Sequence, residues 1–399
     1  MSNETSGLSG RGGLIQLAAY GAEDIIITGD PEITLFKSIY KRHTNFSMES
    51  IQLLFTDIPQ FNKTSFINIK KNGDLVNRLY LELTLPYNIN LTDSFWTNRI
   101  GYRLLNYVEL YIGKKLIDRL YGIWLHIWTE LTHTVDNKHL IDKMVGSTYA
   151  NGFSNGLSCD TPHKLIIPLP FSFCRNIGLS LPLNAIRKNQ DISLKFYFEK
   201  IEKCIQTGEI PLGNLTNVSV WADYIDLETE ENRLFVQTPL EYLIEVTQQF
   251  ERNIITKGTT SLRLPFTLPC KMLAWTVYDI NKTGDKFTDF TDGQNGMVKK
   301  VQFKLNSINL FSSGARDNNY FNYVQPYQHT NVFPDLGINM YSFAIYPLEY
   351  NPSGIVNFKK ISTSVMNITT KGSAFINLFA FSYNILHINK GEIDLIYKY

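Results

Sequence analysis

The stretch that decides the fold of this chain is Val220-Trp-Ala-Asp-Tyr-Ile-Asp-Leu-Glu-Thr-Glu-Glu-Asn-Arg-Leu-Phe235, followed by Leu240-Glu-Tyr-Leu-Ile-Glu-Val246. Residues 218–223 form an alternating strand, with Val218, Val220 and Ala222 on one face and Ser219, Trp221 and Asp223 on the other, as in a half-buried strand. An acidic, helix-prone segment, Asp226 to Leu234, comes next, and a second alternating stretch begins near Leu240. Because this segment lies near the middle of the chain, the sequence predicts two β-rich halves joined by a short helical connector.

Length and composition agree with two β domains. A chain of 399 residues is long for one ordinary domain and comfortable for two. The 22 tyrosines and 25 phenylalanines are high for a helical protein and natural for strands that bury aromatic side chains. The formal net charge of +1 excludes a strong overall field that would attract nucleic acid.

Short alternating stretches separated by turns form one series on each side of the connector. Seven candidate strands precede it: 51–55, 65–69, 75–85, 104–111, 164–169, 192–199 and 217–225. Seven follow it: 240–246, 261–265, 272–280, 297–305, 341–346, 362–369 and 375–388. An eight-stranded jelly roll needs a similar number of strands. The predicted fold class is therefore all-β, with two consecutive eight-stranded antiparallel jelly-roll sandwiches and short helical inserts.

The two halves also echo each other in sequence. Thr64 to Ile69 before Leu79 to Pro86 resembles Thr260 to Leu264 before Leu273 to Tyr278, with similar spacing. The repeat is weak, but it supports duplication of one sandwich.

The N-terminal segment is predicted to hold one helix. Asp30-Pro31-Glu32 is typical of a helix start, and we expect the helix to reach His43 after an extended segment from Leu14 to Thr28. Three basic residues gather near its C-terminal end: Lys37, Lys41 and Arg42. They either cap the helix dipole or form an interaction surface, and the sequence supports both interpretations.

Residues that could perform chemistry are sparse. The four cysteines stand far apart without C-x-x-C spacing, which indicates free thiols in a reducing compartment. A helical insert from Asp118 to Leu131 carries His126, with His133 seven residues further on. We interpret both as structural, with shared metal ligation as the alternative. Nucleophile, phosphate-loop and dinucleotide motifs are missing, so we predict no enzyme activity, no cofactor and no metal.

Glycosylation signals occur eight times as Asn-x-Ser/Thr, a number that an Asn-rich chain produces partly by chance. The candidate retained for glycosylation is Asn281, which lies in a polar stretch from Asn281 to Asn295. Two other polar stretches, 146–160 and 312–319, are predicted to be exposed loops as well.

Five ordered segments carry a resemblance to a known family. They are 12–46, 108–118, 168–183, 341–358 and 383–391. In these segments the chain resembles the double jelly-roll major capsid proteins of the nucleocytoplasmic large DNA viruses almost throughout its length. One departure is Ser172, where a Trp is common in the family.

The resemblance implies a domain plan and a function. We expect an N-terminal arm (1–46), a first jelly roll (47–236) and a second jelly roll (237–399). The implied function is that of a structural major capsid protein, which homotrimerises into pseudo-hexagonal capsomers that tile an icosahedral virion shell. The implied location is the virion capsid, assembled in the host cytoplasm.

The resemblance also implies the partners. They are the chain itself in a homotrimer, neighbouring capsomers, minor capsid and penton proteins and an inner viral membrane, with no direct contact to nucleic acid. Lys37, Lys41 and Arg42 would then lie on the inner side of the shell.

Two alternatives stay open. One is a minor capsid paralogue of the same family, because copy number leaves no trace in a sequence. The other is a carbohydrate-binding jelly-roll attachment protein, with Tyr320, Phe321 and Tyr323 stacking on sugar.

Overall fold

The computed structural model describes residues 12–150, 153–187, 190–254, 258–281, 287–292 and 295–397. The chain divides into one unit up to Thr44 and a second unit from Asn45 onward. In the first unit, α1 (Gly12–Ala18) is followed by a 3-10 turn (Ala22–Asp24) and α2 (Ile25–Thr28).

Both predictions for this first unit were wrong. The segment from Leu14 to Thr28 contains two short helices, and residues 30–43 are irregular. Asp30 has a φ of 47°, in the left-handed region, whereas a helix cap needs extended backbone. The apolar side chains of this stretch are exposed, Phe36 at 99%. Since short isolated helices are marginal without packing, the capping signal alone does not form one.

The first sandwich consists of two antiparallel sheets. Its strands are β1 (Phe46–Leu54), β2 (Thr64–Ile69), β3 (Leu75–Thr84), β4 (Phe95–Trp96), β5 (Leu105–Ile112), β6 (Lys115–Tyr121), β7 (Thr148–Ala150), β8 (Phe153–Asn155), β9 (Lys164–Pro168), β10 (Leu181–Pro182), β11 (Ile192–Phe198), β12 (Ile205–Thr207) and β13 (Thr216–Leu227). One sheet has the order β1-β13-β3-β10, with β9 also beside β3, and the other has the order β2-β11-β5-β6. The pairs β4–β12 and β7–β8 are separate ribbons.

The second sandwich repeats this arrangement. Its strands are β14 (Leu240–Ile254), β15 (Gly258–Arg263), β16 (Pro269–Asp279), β17 (Val298–Leu305), β18 (Ile308–Asn309), β19 (Arg316–Asp317), β20 (Ile338–Ser342), β21 (Val356–Asn357), β22 (Ser364–Thr370), β23 (Ala374–Asn389) and β24 (Glu392–Leu395). The sheet orders are β14-β23-β16-β20 and β15-β22-β17-β18, with β19, β21 and β24 added beside β17, β16 and β23. The two four-strand orders match those of the first sandwich, whereas β19 and β24 are additions of the second. The predicted double jelly roll is therefore confirmed.

Helices are inserted between the strands. They are α3 (Ile100–Leu104), α4 (Gly122–Thr132), α5 (Val135–Val145), α6 (Ser172–Arg175), α7 (Thr229–Gln237), a π-helical turn (Tyr320–Val324) and α8 (Gln325–His329). Short 3-10 turns occur at Ile177–Leu179, Ile201–Lys203 and Phe358–Lys360. Among the described residues, none of these helices has the length and apolar character needed to cross a bilayer.

Two helix starts lie later than predicted. Residues 118–121 belong to β6 because they pair with β5, so the inserted helix begins at Gly122. A side chain at Gly122 would meet the carbonyl oxygens of Tyr102 and Leu105 at 2.1 Å, so only glycine allows this close approach. The connector helix begins at Thr229, because pairing with β1 extends β13 to Leu227.

The cores follow from the strand pattern. Along β11, buried residues alternate with half-buried ones, as expected for a strand that faces a core on one side. The second core gathers aromatic side chains such as Trp275, Phe303 and Phe321. The first core does not end at the first sandwich, since it continues through Phe379 and Phe381 of β23. The two sandwiches therefore share a buried contact region, which we call the seam.

Candidate functional site: the seam between the two sandwiches

Aromatic side chains form the centre of the seam. Trp124 and Trp128 lie four residues apart on α4, so they project from one side of the helix. The ring of Trp124 lies 5.3 Å from Phe379 and 5.5 Å from Phe381, and the ring of Trp128 lies 5.1 Å from Phe381. These spacings suit tilted aromatic pairs, which stabilise beyond the area they bury. The helix after β6 thus anchors the first sandwich on β23.

A buried network of three charges lies beside these rings. Arg175, at the end of α6, donates to the backbone oxygen of Glu245 at 3.0 Å, and its Nη1 lies 3.2 Å from Oε2 of the same residue. Lys271, fully buried on β16, makes an ion pair with the other carboxylate oxygen of Glu245. One carboxylate of the second sandwich therefore holds one cation from each half.

The two cations also lie over aromatic faces. Lys271 Nζ is 4.4 Å from the ring centre of Phe381, and the guanidinium of Arg175 is 5.0 Å from the same ring and 4.9 Å from Trp128. Burial lowers the pKa of Lys271 to about 8, against the raising effect of Glu245. Such partially desolvated cation–π contacts compensate for part of the hydration that is lost on burial.

Asp118 makes a second polar link across the seam. Its Oδ1 accepts the backbone N–H of Arg119 at 2.8 Å and that of Thr247, on β14, at 3.3 Å. Complete burial raises the pKa of Asp118 to about 6, although Arg175 and the two backbone donors act in the opposite direction. In a parallel contact, Ser172 Oγ accepts the backbone N–H of Glu245 at 3.0 Å.

A further cluster surrounds Arg99. This residue has a left-handed φ of 51°, and its guanidinium lies 2.7 Å from Glu130 Oε1 and 2.7 Å from Asp142 Oδ1. Although burial favours the neutral acid, the charge of Arg99 lowers the pKa of Glu130 to about 2. The carboxylate of Glu130 also accepts the backbone N–H of Asp335, from the second sandwich, at 3.2 Å.

His126 completes this cluster as a neutral ring. Its Nδ1 lies 2.8 Å from Arg99 Nη1, and because arginine can only donate, the proton of the imidazole is on Nε2. Burial and the neighbouring Arg99 lower the pKa of His126 to about 3. The ring packs 5.8 Å from Phe287 and 5.7 Å from Phe290 of the second sandwich. His126 thus acts as a packing residue between the halves.

The second histidine has a different environment. His133 lies just beyond α4, with its Nδ1 2.7 Å from Thr132 Oγ1. Within the described ranges, no group of three His, Cys, Asp or Glu side chains is arranged to hold a metal ion.

A groove of about 800 Å³ opens along the seam. Trp128, Arg175 and Glu245 line it together with Tyr102 and Tyr350. Its charged groups are paired with each other, and the arrangement offers a rigid joint rather than an activated nucleophile or a general base.

The site residues predicted from the sequence are exposed. Lys37, Lys41 and Arg42 are exposed in the irregular part of the first unit, so they do not end a helix. Asn281 is exposed in a turn after β16, where its backbone N–H is donated to Asp279 Oδ1 at 2.9 Å. Their roles in interaction and glycosylation remain predictions. Of the polar stretches, 146–160 contains the β7–β8 ribbon, and residues 151–152, 282–286 and 293–294 lie outside the described ranges.

The proposed sugar-stacking set is wrong in one member. Phe321 has no exposed surface, because its ring packs against Trp275 at 5.2 Å and Phe303 at 6.3 Å inside the second core. Tyr320 is half-buried, and Tyr323 is stacked on Phe333 at 5.3 Å. The three residues therefore do not form one aromatic platform.

The seam residues were missed by the sequence analysis, although two signals were present. Trp124 and Trp128 are large side chains at helical spacing, and Lys271 interrupts an otherwise apolar strand at Pro269-Cys-Lys-Met-Leu-Ala-Trp. A charge in such a strand indicates a buried partner. Which residue supplies that partner depends on long-range packing.

Two family models match the chain one after the other. The model described as "Major capsid protein N-terminus" matches residues 34–228, and "Large eukaryotic DNA virus major capsid protein" matches residues 231–393. The major capsid protein of Pyramimonas orientalis virus is 35% identical over an alignment that covers 97% of this chain and 99% of that relative.

Solved structures agree with this match. The crystal structure of PBCV-1 VP54 has a TM-score of 0.82 and 27% identity, covering 92% of this chain and 100% of that chain. A chain of the quasi-atomic PBCV-1 capsid has a TM-score of 0.79 with the same identity and coverage. The fold defines a double jelly-roll capsid protein.

The family follows from the relatives that span the whole chain. The chain belongs to the major capsid proteins of large eukaryotic DNA viruses and is a component of the virion capsid. The resemblance seen in the sequence is confirmed. This family consists of structural proteins, and the absence of catalysis in this chain remains a prediction.

Proposed function

We propose that three copies of this chain form a pseudo-hexagonal capsomer that tiles an icosahedral shell assembled in the host cytoplasm. The observation that carries the proposal is that the four-strand order of each sheet is the same in the two sandwiches. Two similar lobes per chain give a trimer six similar lobes, so a three-fold object can meet six neighbours on a closed lattice.

The seam supports this role. A capsomer lobe has to keep its angle to the next lobe, and aromatic packing combined with the Arg175–Glu245–Lys271 network resists rotation of the two sandwiches. Cores packed at crystal-like density transmit stress instead of yielding to it. A rigid joint is what a tiling unit needs.

We propose the domain division 1–46, 47–236 and 237–399, with the arm as the segment that engages inner partners. Minor capsid proteins or an inner viral membrane would meet the exposed Lys37, Lys41 and Arg42. Penton proteins and neighbouring capsomers would meet the sides of the sandwiches, and nucleic acid would make no direct contact.

Analytical ultracentrifugation of the purified chain at micromolar concentration tests the proposal. We expect a trimer of about three times the 45.8 kDa chain mass. A monomer at all accessible concentrations would contradict it. A mass-spectrometric count of copies per particle separates the major shell protein from a minor paralogue, and the mass of peptides containing Asn281 reports glycosylation.

A further inference from the structure

Each element that forms the seam has a counterpart in the other sandwich, and that counterpart takes no part in the seam. The sheet orders equate β14 with β1, β23 with β13, and β6 with β18. The first sandwich contributes to the seam the helix that follows β6, and the second contributes the β14–β23 edge. The helical segment after β18 and the β1–β13 edge are the matching surfaces that the seam does not use.

The first unused surface is aromatic. Tyr323 and Tyr327, four residues apart on the helical segment 320–329, repeat the spacing of Trp124 and Trp128 on α4. Tyr327 is 87% exposed, whereas Trp128, at the matching position, is half-buried. Val324 and the exposed pair Ile345 and Tyr346 lie nearby, since His329 Nδ1 is 2.9 Å from the backbone oxygen of Ile345. We call these five apolar residues the tyrosine face: Tyr323, Val324, Tyr327, Ile345 and Tyr346.

The second unused surface is an edge strand with apolar side chains. In β1, Met48 is 47% exposed and Leu54 is 72% exposed. Trp221 of β13 pairs with Gln52, which lies between them in β1, and is half-buried. We call Met48, Leu54 and Trp221 the β1 face. An exposed, apolar edge strand invites association with another chain.

We propose that the tyrosine face of one copy packs on the β1 face of the next copy and repeats between chains the contact that the seam makes within one. This proposal rests on the proposed trimer and specifies its contact. The occupant is a second copy because the chain itself contains the matched pair of surfaces, one on each sandwich. Three seams within chains and three such contacts between chains close a ring of six lobes, which is a heterologous interface with closure.

The chemistry of the two faces suits a stable interface. Tyrosine and methionine are enriched at the centres of protein interfaces, where charged residues are depleted. Tyrosine contributes large contact area at low cost in side-chain entropy and is frequent among the residues that dominate binding energy.

Two single variants test the two faces separately. Tyr327→Asp and Met48→Asp each place a charge in one face, and Tyr87→Asp is the matched control at a tyrosine that is 53% exposed in the loop after β3. We expect both test variants to sediment as monomers under conditions in which the wild type and Tyr87→Asp are trimers. Their far-ultraviolet circular dichroism should match that of the wild type, which reports that the monomers are folded, and Leu54→Asp replaces Met48→Asp if the latter loses its β signal.

A mixture of the two test variants distinguishes a contact between the tyrosine face of one copy and the β1 face of the next from any other contact between copies. Tyr327→Asp keeps an intact β1 face and Met48→Asp keeps an intact tyrosine face, so a mixture can form one intact contact but cannot close a ring. We expect one-to-one dimers in the concentrated mixture and none with either variant alone.

The outcomes also separate this inference from the proposed function. A monomeric wild type contradicts the trimer itself. A trimeric wild type whose Tyr327→Asp and Met48→Asp variants remain trimeric, or whose monomeric variants form no mixed dimer, overturns the contact while the trimer stands.

Discussion

The strands β14 and β1 hold the same position in their sandwiches but differ in burial. In β14, residues 244–247 are buried on both faces, whereas in β1 the residues from Phe46 to Ser50 are all exposed. The neighbouring strands differ in the same way. Residues 376–384 of β23 are all buried, while buried and half-buried residues mix along β13. Because the backbone arrangement is shared, the difference comes from what packs on the outer face of each edge.

The sequence of each strand matches its burial. β23 begins Ala374-Phe-Ile-Asn-Leu-Phe-Ala-Phe381, which is nearly continuous in apolar residues, whereas β13 alternates from Val218 to Asp223. Strands buried on both faces read as continuous apolar runs. Covering one edge with the other sandwich therefore requires a different amino-acid pattern on the same scaffold.

The largest effect in this comparison is expected when α4 loses its aromatic anchor. Trp124→Ala should lower the free energy of unfolding by about 3–5 kcal/mol, because it leaves a cavity between Phe379 and Phe381. Tyr327→Ala, which removes an exposed aromatic ring from the helical segment 320–329, should change the stability of the monomeric chain by less than about 0.5 kcal/mol. Urea unfolding measures both, and equal losses would show that the two helices are not distinguished by the seam.

The charge network should respond asymmetrically. Glu245→Gln removes the carboxylate that pairs with both Arg175 and Lys271, and we expect a loss of about 3 kcal/mol at pH 7. Lys271→Met leaves Glu245 paired with Arg175 and should cost less. Equal losses in the two variants would contradict this account of the network.

The same network has a pH dependence with a defined sign. The pKa of Lys271 is already lowered to about 8, and loss of Glu245 lowers it further below the value in the unfolded chain. The unfolded state then binds more protons than the native state, so stability rises with pH. The loss caused by Glu245→Gln should therefore be smaller at pH 10 than at pH 7 in urea titrations.

Asp118 gives a smaller effect of the opposite sign. Its pKa of about 6 in the folded chain lies above the ordinary value near 4, so ionisation destabilises the native state as pH rises from about 4 to 6. Asp118→Asn should thus raise stability at pH 8 by about 1–3 kcal/mol and change it little at pH 4. Thermal melts across this range measure the difference, with Asp57→Asn, at an exposed carboxylate, as the control. A variant that is less stable at pH 8 would show that the charge of Asp118 strengthens the seam.

The smallest effect on stability is expected for the first unit. Deleting residues 1–44 removes no strand of either sandwich. We expect the melting temperature and the β signal in circular dichroism to persist, and incorporation into shells to fall. An unfolded truncation product would show that the arm belongs to the core of the sandwiches.

The strand positions could be predicted because they depend on local pattern. The alternation of apolar and polar side chains placed thirteen of the fourteen candidate strands close to their positions in the structure. The repeat between 64–69 and 260–264 corresponds to β2 and β15. The exception is 341–346, of which only the first two residues lie in β20 (Ile338–Ser342). The helix predicted at 30–43 did not form, because a capping signal produces a helix only where an apolar face packs on a core.

The amino-acid sequence by itself determined the all-β class, the duplication of the sandwich and the family of this protein. The alternation of apolar and polar side chains, the turn residues and the ordered family segments are all local features of the sequence. Only the tertiary structure decided that Glu245 pairs with Arg175 seventy positions away, that His126 lies between Phe287 and Phe290, and that β14 is covered while β1 is exposed. Burial and charge pairing are properties of residues brought together from distant positions, and the cost of an unpaired buried charge selects those partners.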